Sequence, residues 1–264
     1  MKEIRGFFQR IFRPRVTGTP GVRWYTATDP GRVRTNNEDA VRAEPPDTRA
    51  ARERGAVCVL ADGVGGQAAG EIASRIAVDT VHDAFYAAPE NQPLDGALAE
   101  AVRAANDAVW SAARGHATRA GMASTVTAAV VSGHTLVLAH VGDSRAYVMR
   151  GQRLEQITRD HSWVAAQVEA GVLTREQARK HSRRNIVLRA LGQGPTVEVD
   201  LYHYPLERGD IALLCSDGLT TVVDDDEIAA SLEASRPEKR AETLIAFARA
   251  RGGPDNITVA CAAL

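Results

Sequence analysis

The chain has 264 residues, enough for one large domain or two small ones, and its 32 Lys and Arg almost balance its 33 Asp and Glu. That balance excludes the global basic excess with which a nucleic-acid binder neutralises phosphates, so electrostatic function is local and no nucleic-acid partner is expected. No run approaches the roughly 18 apolar residues needed to cross a bilayer and no small-residue cleavage site is visible, so a cytoplasmic protein is expected.

In chain order, Ile4, Phe7, Phe8, Ile11 and Phe12 fall on one helical face, with Lys2, Arg5, Arg10, Arg13 and Arg15 around the rest. This basic amphipathic pattern over 1–15 reads as a docking element for a membrane surface or a partner, or equally as a terminal helix packed on its own domain. Pro14, Gly18, Pro20 and Gly21 end it. Residues 1–21 are thus helix and linker, and 22–264 one domain.

From there the patterns predict strands at 22–28, 39–43 and 56–61, with a loop over 44–54, then alanine-rich amphipathic helices at 68–87 and 93–114. Strands follow at 124–131, 135–141 and 145–150. A polar, helix-prone stretch over 160–182 reads as a surface flap framed by His161 and His181, a candidate meeting point with substrate. Strands at 197–204 and 210–215, helices at 225–233 and 237–251 and a last strand at 256–263 complete an α+β pattern of helices flanking antiparallel sheets. Asp224-Asp225-Asp226-Glu227 reads as a helix N-terminal charge run. Cys58, Cys215 and Cys261 lie in apolar runs without C-x-x-C spacing and are expected reduced and buried.

Five short acidic motifs punctuate the strands: Asn36-Asn37-Glu38-Asp39, Asp62-Gly63-Val64-Gly65-Gly66, Gly142-Asp143-Ser144-Arg145, Ser216-Asp217-Gly218 and Gly253-Pro254-Asp255-Asn256. Each aspartate alone reads as a turn or cap. Together, at strand ends, they offer oxygen ligands for a hard divalent cation. Gly63-Val64-Gly65-Gly66-Gln67-Ala68 also fits a dinucleotide-binding turn. Against that, Asp62 would face a pyrophosphate with no cation between them, and Asp83, about 20 residues on, falls inside a helix.

With Asp62 as a ligand, the Gly63 carbonyl can join it, and Asp217 and Asp255 can complete one ion's shell. Two cations about 3.5–4 Å apart can then hold a bridging hydroxide for in-line attack on phosphorus. No side-chain nucleophile competes: six residues beyond Cys58 and Cys215 stand Val64 and Thr221 where C-x₅-R would need arginine, and no G-x-S-x-G elbow occurs.

Over about 22–264 the chain resembles the metal-dependent serine/threonine protein phosphatases of type 2C, particularly the bacterial branch. The five motifs match in order, from Arg34-Thr35-Asn36-Asn37-Glu38-Asp39 to Gly253-Pro254-Asp255-Asn256-Ile257-Thr258, and Arg184-Asn185 with Arg189-Ala190-Leu191-Gly192 matches as well. The resemblance implies two packed antiparallel β-sheets flanked by helix pairs, with the metal site at one end. It implies that Asp62 bridges two Mn²⁺ or Mg²⁺ ions, that Gly63, Asp217 and Asp255 complete the first site, and that Glu38 and Asp39 act through metal-bound waters. Asp143, with Asp217, would hold a third ion, although Gly-Asp-Ser is also ordinary turn chemistry. Arg34 would bind the substrate phosphate, for which a guanidinium fork is well shaped.

The implied activity is hydrolysis of phosphoserine and phosphothreonine on proteins, opposing a bacterial-type Ser/Thr kinase in signalling. The alternative is a catalytically weak phosphoprotein-binding module of the same fold. Two departures stand out. Val64 occupies the place of a histidine found in eukaryotic relatives, and Gly121-Met122-Ala123-Ser124-Thr125 replaces Gly-Met-Gly-Thr-Thr.

Overall fold

Helices and strands stack in four layers because most strands bury both faces. The computed structural model describes residues 22–65 and 69–264; the basic amphipathic segment and its linker lie outside them. The strands are β1 (Trp24–Asp29), β2 (Asp39–Ala43), β3 (Ala56–Val64), β4 (Ala123–Ser124), β5 (Val126–Ser132), β6 (Thr135–Val141), β7 (Arg145–Arg150), β8 (Arg153–Gln156), β9 (Asp200–Pro205), β10 (Ile211–Cys215) and β11 (Ile257–Ala263). The helices are α1 (Arg49–Arg54), α2 (Ala69–Ala87), α3 (Leu94–Gly115), α4 (Trp163–Glu169), α5 (Arg175–Lys180), α6 (Asp217–Thr220), α7 (Asp225–Ala234) and α8 (Arg240–Ala250).

One sheet runs β1-β11-β10-β7-β8 and the other β2-β3-β5-β6-β9, with β4 added to β3. Every pairing is antiparallel. The expected two-sheet sandwich flanked by helix pairs is thus the observed fold.

β3 shows why its sequence is continuously apolar rather than alternating. Val57, Val59 and Ala61 pack toward α2 and α3, while Ala56, Cys58 and Leu60 fill the space between the sheets. Ala73, Ala77, Val81 and Phe85 form the buried stripe of α2, at the spacing that puts every fourth residue on one face. On the other side, Ile228 and Leu232 of α7 and Leu244 and Ala248 of α8 cover the outer face of β10 and β11. All three cysteines are buried and unpaired.

Several boundaries differ from the sequence reading. The 44–54 loop contains α1, nucleated by Thr48, whose hydroxyl accepts from the Ala51 N–H at 3.1 Å. β3 continues through Asp62 and Gly63 to Val64 because Gly63 and Val64 pair with Ser124 and Ala123. β4, β8 and α6 are too short to show periodicity. The 237–251 helix divides into a 3₁₀ turn, Pro237–Lys239, and α8. The flap stretch does form two short helices, α4 and α5, each started by a hydroxyl cap, Ser162 and Thr174.

Candidate metal centre

At one end of the sandwich the facing sheet surfaces turn from apolar to polar. Leu60, Ala129, Leu138, Ala146, Leu214 and Ala260 give way to Asp62, Thr127, His140, Ser144, Ser216 and Thr258, each two residues along its strand. Alternation keeps these polar side chains pointed inward, where a buried polar group must find a partner. They find one another. Thr125 Oγ1 lies 2.8 Å from Ser144 Oγ and accepts the Asp62 N–H at 2.9 Å, and Thr127 Oγ1 lies 2.9 Å from His140 Nδ1. Ser216 Oγ donates to Asp39 Oδ2 at 2.7 Å and accepts the Thr258 N–H at 2.9 Å, tying the two sheets together.

This polar end collects the acidic motifs. Asp39 and Asp62 are register partners across β2 and β3. Asp217 opens α6 directly after β10, Asp143 sits in the turn between β6 and β7, and Asp255 precedes β11. Glu38 is held from two sides: its N–H donates to Asn256 Oδ1 at 2.8 Å and its carbonyl accepts the Gly63 N–H at 3.1 Å. The Asn256 amide also donates to the carbonyls of Pro30 and Asn36, at 3.1 and 2.8 Å, and so clamps the loop carrying Arg34. The Arg34 side chain is 49% exposed, and its guanidinium reaches Asp255 Oδ2 at 3.0 Å.

Packing so many carboxylates together costs electrostatic energy. Burial first, then the charges of Asp39, Asp217, Asp143 and Asp255, hold the Asp62 carboxyl well above the usual carboxylate range. Burial likewise raises Asp39, against opposing hydrogen bonds from Thr258 and Ser216 and with Asp217 and Asp255 adding to the rise. Asp143 is raised by burial and then by Asp217, Asp217 by burial and then by Asp255, and Glu38 by burial. Arg34 and Arg145 lean the other way on this group.

The donor set fits a divalent cation. Asp39 Oδ1 is a buried carboxylate oxygen with no hydrogen-bond partner among the described residues, and hard oxygen donors in mutual repulsion are what Mg²⁺ or Mn²⁺ relieves. Among the described residues, no three His, Cys, Asp or Glu side chains are already drawn in tightly enough to hold one ion. Asp62 nonetheless feels the charges of Asp39, Asp217, Asp143 and Asp255, and Asp255 is turned to Arg34.

The glycines of the motifs serve close packing. A Cβ on Gly63 would stand 2.1 Å from the Gly70 carbonyl oxygen, and one on Gly218 would stand 1.9 Å from that of Asn256. Gly142 has φ +118° and its missing Cβ makes room for Thr125. Ala123, by contrast, lies in extended β4, which any residue tolerates; the left-handed position of that turn is Gly121, φ +78°.

The sequence reading of the histidines needs correction. His161 is buried, so it does not present itself to substrate: its Nδ1 accepts the Gly142 N–H at 3.0 Å and its backbone N–H donates to the Gly142 carbonyl at 2.7 Å. It buttresses the turn that carries Asp143. His181 lies against Trp163 within the flap, ring centroids 4.9 Å apart. Val64 is 44% exposed beside the carboxylates. Unforeseen by the sequence reading were the clamp Asn256 and the Arg145–Asp160 pair, in which Nε and Nη2 donate at 3.0 and 2.7 Å. A polar residue at an inward strand position was the available signal for Thr125, Thr127, Ser216 and Thr258.

The family model described as Protein phosphatase 2C matches residues 32–249. The chain is 39% identical over 244 residues to the serine/threonine protein phosphatase PstP of Mycobacterium tuberculosis, an alignment covering 91% of this chain and 45% of that protein. It is 37% identical over 237 residues to the serine/threonine phosphatase stp of Listeria monocytogenes, covering 88% and 92% respectively. The crystal structure of the PstP catalytic domain in complex with 2 manganese ions matches with a TM-score of 0.80 at 38% identity, over 92% of this chain and 97% of that one. The chain thus spans less than half the length of the mycobacterial relative and nearly all of the Listeria one.

Proposed function

The chain belongs to the protein phosphatase 2C family, and from that premise we propose that its domain hydrolyses phosphoserine and phosphothreonine esters on proteins with two divalent cations, Mn²⁺ or Mg²⁺. The observation that carries this reading is the convergence of Asp39, Asp62, Asp143, Asp217 and Asp255 from five separate segments, each of the first four raised by burial and most of them by one another.

In this reading Asp62, the Gly63 carbonyl, Asp217 and Asp255 would hold the two ions, and Asp143 with Asp217 would hold a third. Glu38 and Asp39 orient water beside them. Bound, the ions neutralise phosphoryl charge and lower the pKa of water, which makes a nucleophile available at neutral pH. Arg34 leaves Asp255 to grip the phosphate dianion with its planar fork, fixing the ester for in-line attack. Val64 has no proton to give, so the departing alkoxide takes its proton from another donor. The substrates come from a Ser/Thr kinase, and residues 1–15 dock the domain to an anionic surface or a partner.

Release of phosphate from a phosphothreonine peptide tests the reading. Turnover in Mn²⁺ that vanishes in EDTA is expected. Tight peptide binding without turnover in either metal would instead identify a binding module.

A further inference from the structure

A cleft of about 540 Å³ opens between the flap and the sandwich, and Asp143 and Asp217 line it as well as the carboxylate centre. A phosphorylated side chain seated at those carboxylates therefore leaves its neighbouring residues in this cleft. Its walls carry five arginines and five carboxylates. Arg145 is committed to Asp160, Arg159 to Glu169, and Arg179 to Asp224 with Asp225 beyond. Arg175 and Arg184, both exposed, belong to none of the ion pairs among the described residues. Once Asp143 and Asp217 are given to cations, the cleft keeps an excess of positive charge, and that excess resides on these two guanidiniums.

We propose that the cleft selects phosphoproteins with an anionic group a few residues from the scissile phosphate, an acidic side chain or a second phosphate, paired to Arg175 and Arg184. This rests on the phosphatase reading for its occupant. The apolar part of the wall, Val164, Ala165 and Val168 of α4, gives the peptide between the two anions a dry surface to lie on. The preference weakens with salt, because both arginines face solvent.

The test uses phosphonate peptides, which bind but are not hydrolysed, measured by fluorescence anisotropy in Mn²⁺. Three peptides differ only in the flanking residues: Glu, a second phosphonate, or Lys. The Glu or doubly substituted peptide is expected to bind about tenfold more tightly than the Lys peptide, and the tighter of the two identifies the anion preferred. In the double variant R175E/R184E the order equalises or reverses. Equal affinities in the wild type, or a preference that persists in the variant, would overturn the proposal. Hydrolysis of the matching phosphothreonine peptides is read separately. Selective binding without turnover sinks the phosphatase reading and leaves the cleft's selectivity standing, and unselective turnover does the reverse.

Discussion

Asp62 sits opposite Asp39 in the β2–β3 register, and burial raises both carboxyls while neither joins an ion pair among the described residues. Removing one charge should therefore stabilise the metal-free protein while disabling the site. Asp62→Asn is expected to raise the metal-free melting temperature by about 2–4 °C, equivalent to about 1 kcal/mol in a domain of this size, measured by calorimetry in EDTA. In the proposed mechanism Arg34 acts on the ligand rather than on the fold. Arg34→Lys should raise KM for a phosphopeptide about tenfold, the loss of one charge-assisted hydrogen bond of about 1.5 kcal/mol, with an unchanged melting temperature. An unchanged KM would remove Arg34 from the phosphate. At this scale the acidic residues were legible because their motifs recur at strand ends, where a sheet gathers oxygen donors distant in sequence. Asn256 was not, because an asparagine after an aspartate looks the same whether it caps a turn or clamps a loop 220 residues away.

The elements divide into those that shape the site and those that only support the sandwich. α6 follows β10 so closely that Gly218 lies on the backbone of Asn256. Gly218→Ala should cost at least about 1–3 kcal/mol by overpacking and lower turnover as well, since the displaced Asn256 holds the Arg34 loop. Urea denaturation and an activity assay together read this; a stable, active variant would show that the turn yields freely. α1 is the contrast. Thr48→Ala removes its cap at a cost of about 1 kcal/mol, and activity should be untouched because α1 packs on β3 far along the strand from Asp62. Long elements with a clear period, such as α2, α3 and β6, were readable from sequence within a residue or two. β4 and α6 are held by pairing and packing partners distant in sequence, which local periodicity does not record, and β8 is a four-residue hairpin strand on β7, too short to show a period.

The whole molecule is a two-sheet sandwich whose apolar interior ends in a charged mouth. Burial and mutual repulsion hold the carboxyls of Asp39, Asp62, Asp143 and Asp217 above their unfolded values, so at these four groups protons bind the folded chain more tightly than the unfolded one. Their contribution to stability is present at low pH and is lost as pH rises through the raised folded values. In the proposed site a divalent cation would replace those protons at neutral pH. The melting-temperature gain from Mn²⁺ should therefore be larger at pH 8 than at pH 5.5, and an equal gain at both would argue that the ion binds elsewhere. The sandwich itself was legible from the block order of strands and helices, whereas the flap cleft was not, because its walls come from segments on both sides of the site. The central claim is that these carboxylates hold the metal that cleaves phosphate from protein. Mn²⁺-dependent phosphate release from a phosphothreonine peptide by the wild type and by Asp62→Asn tests it most directly: turnover should fall on the order of 100-fold or more in the variant, and turnover that survives both EDTA and the substitution would contradict it.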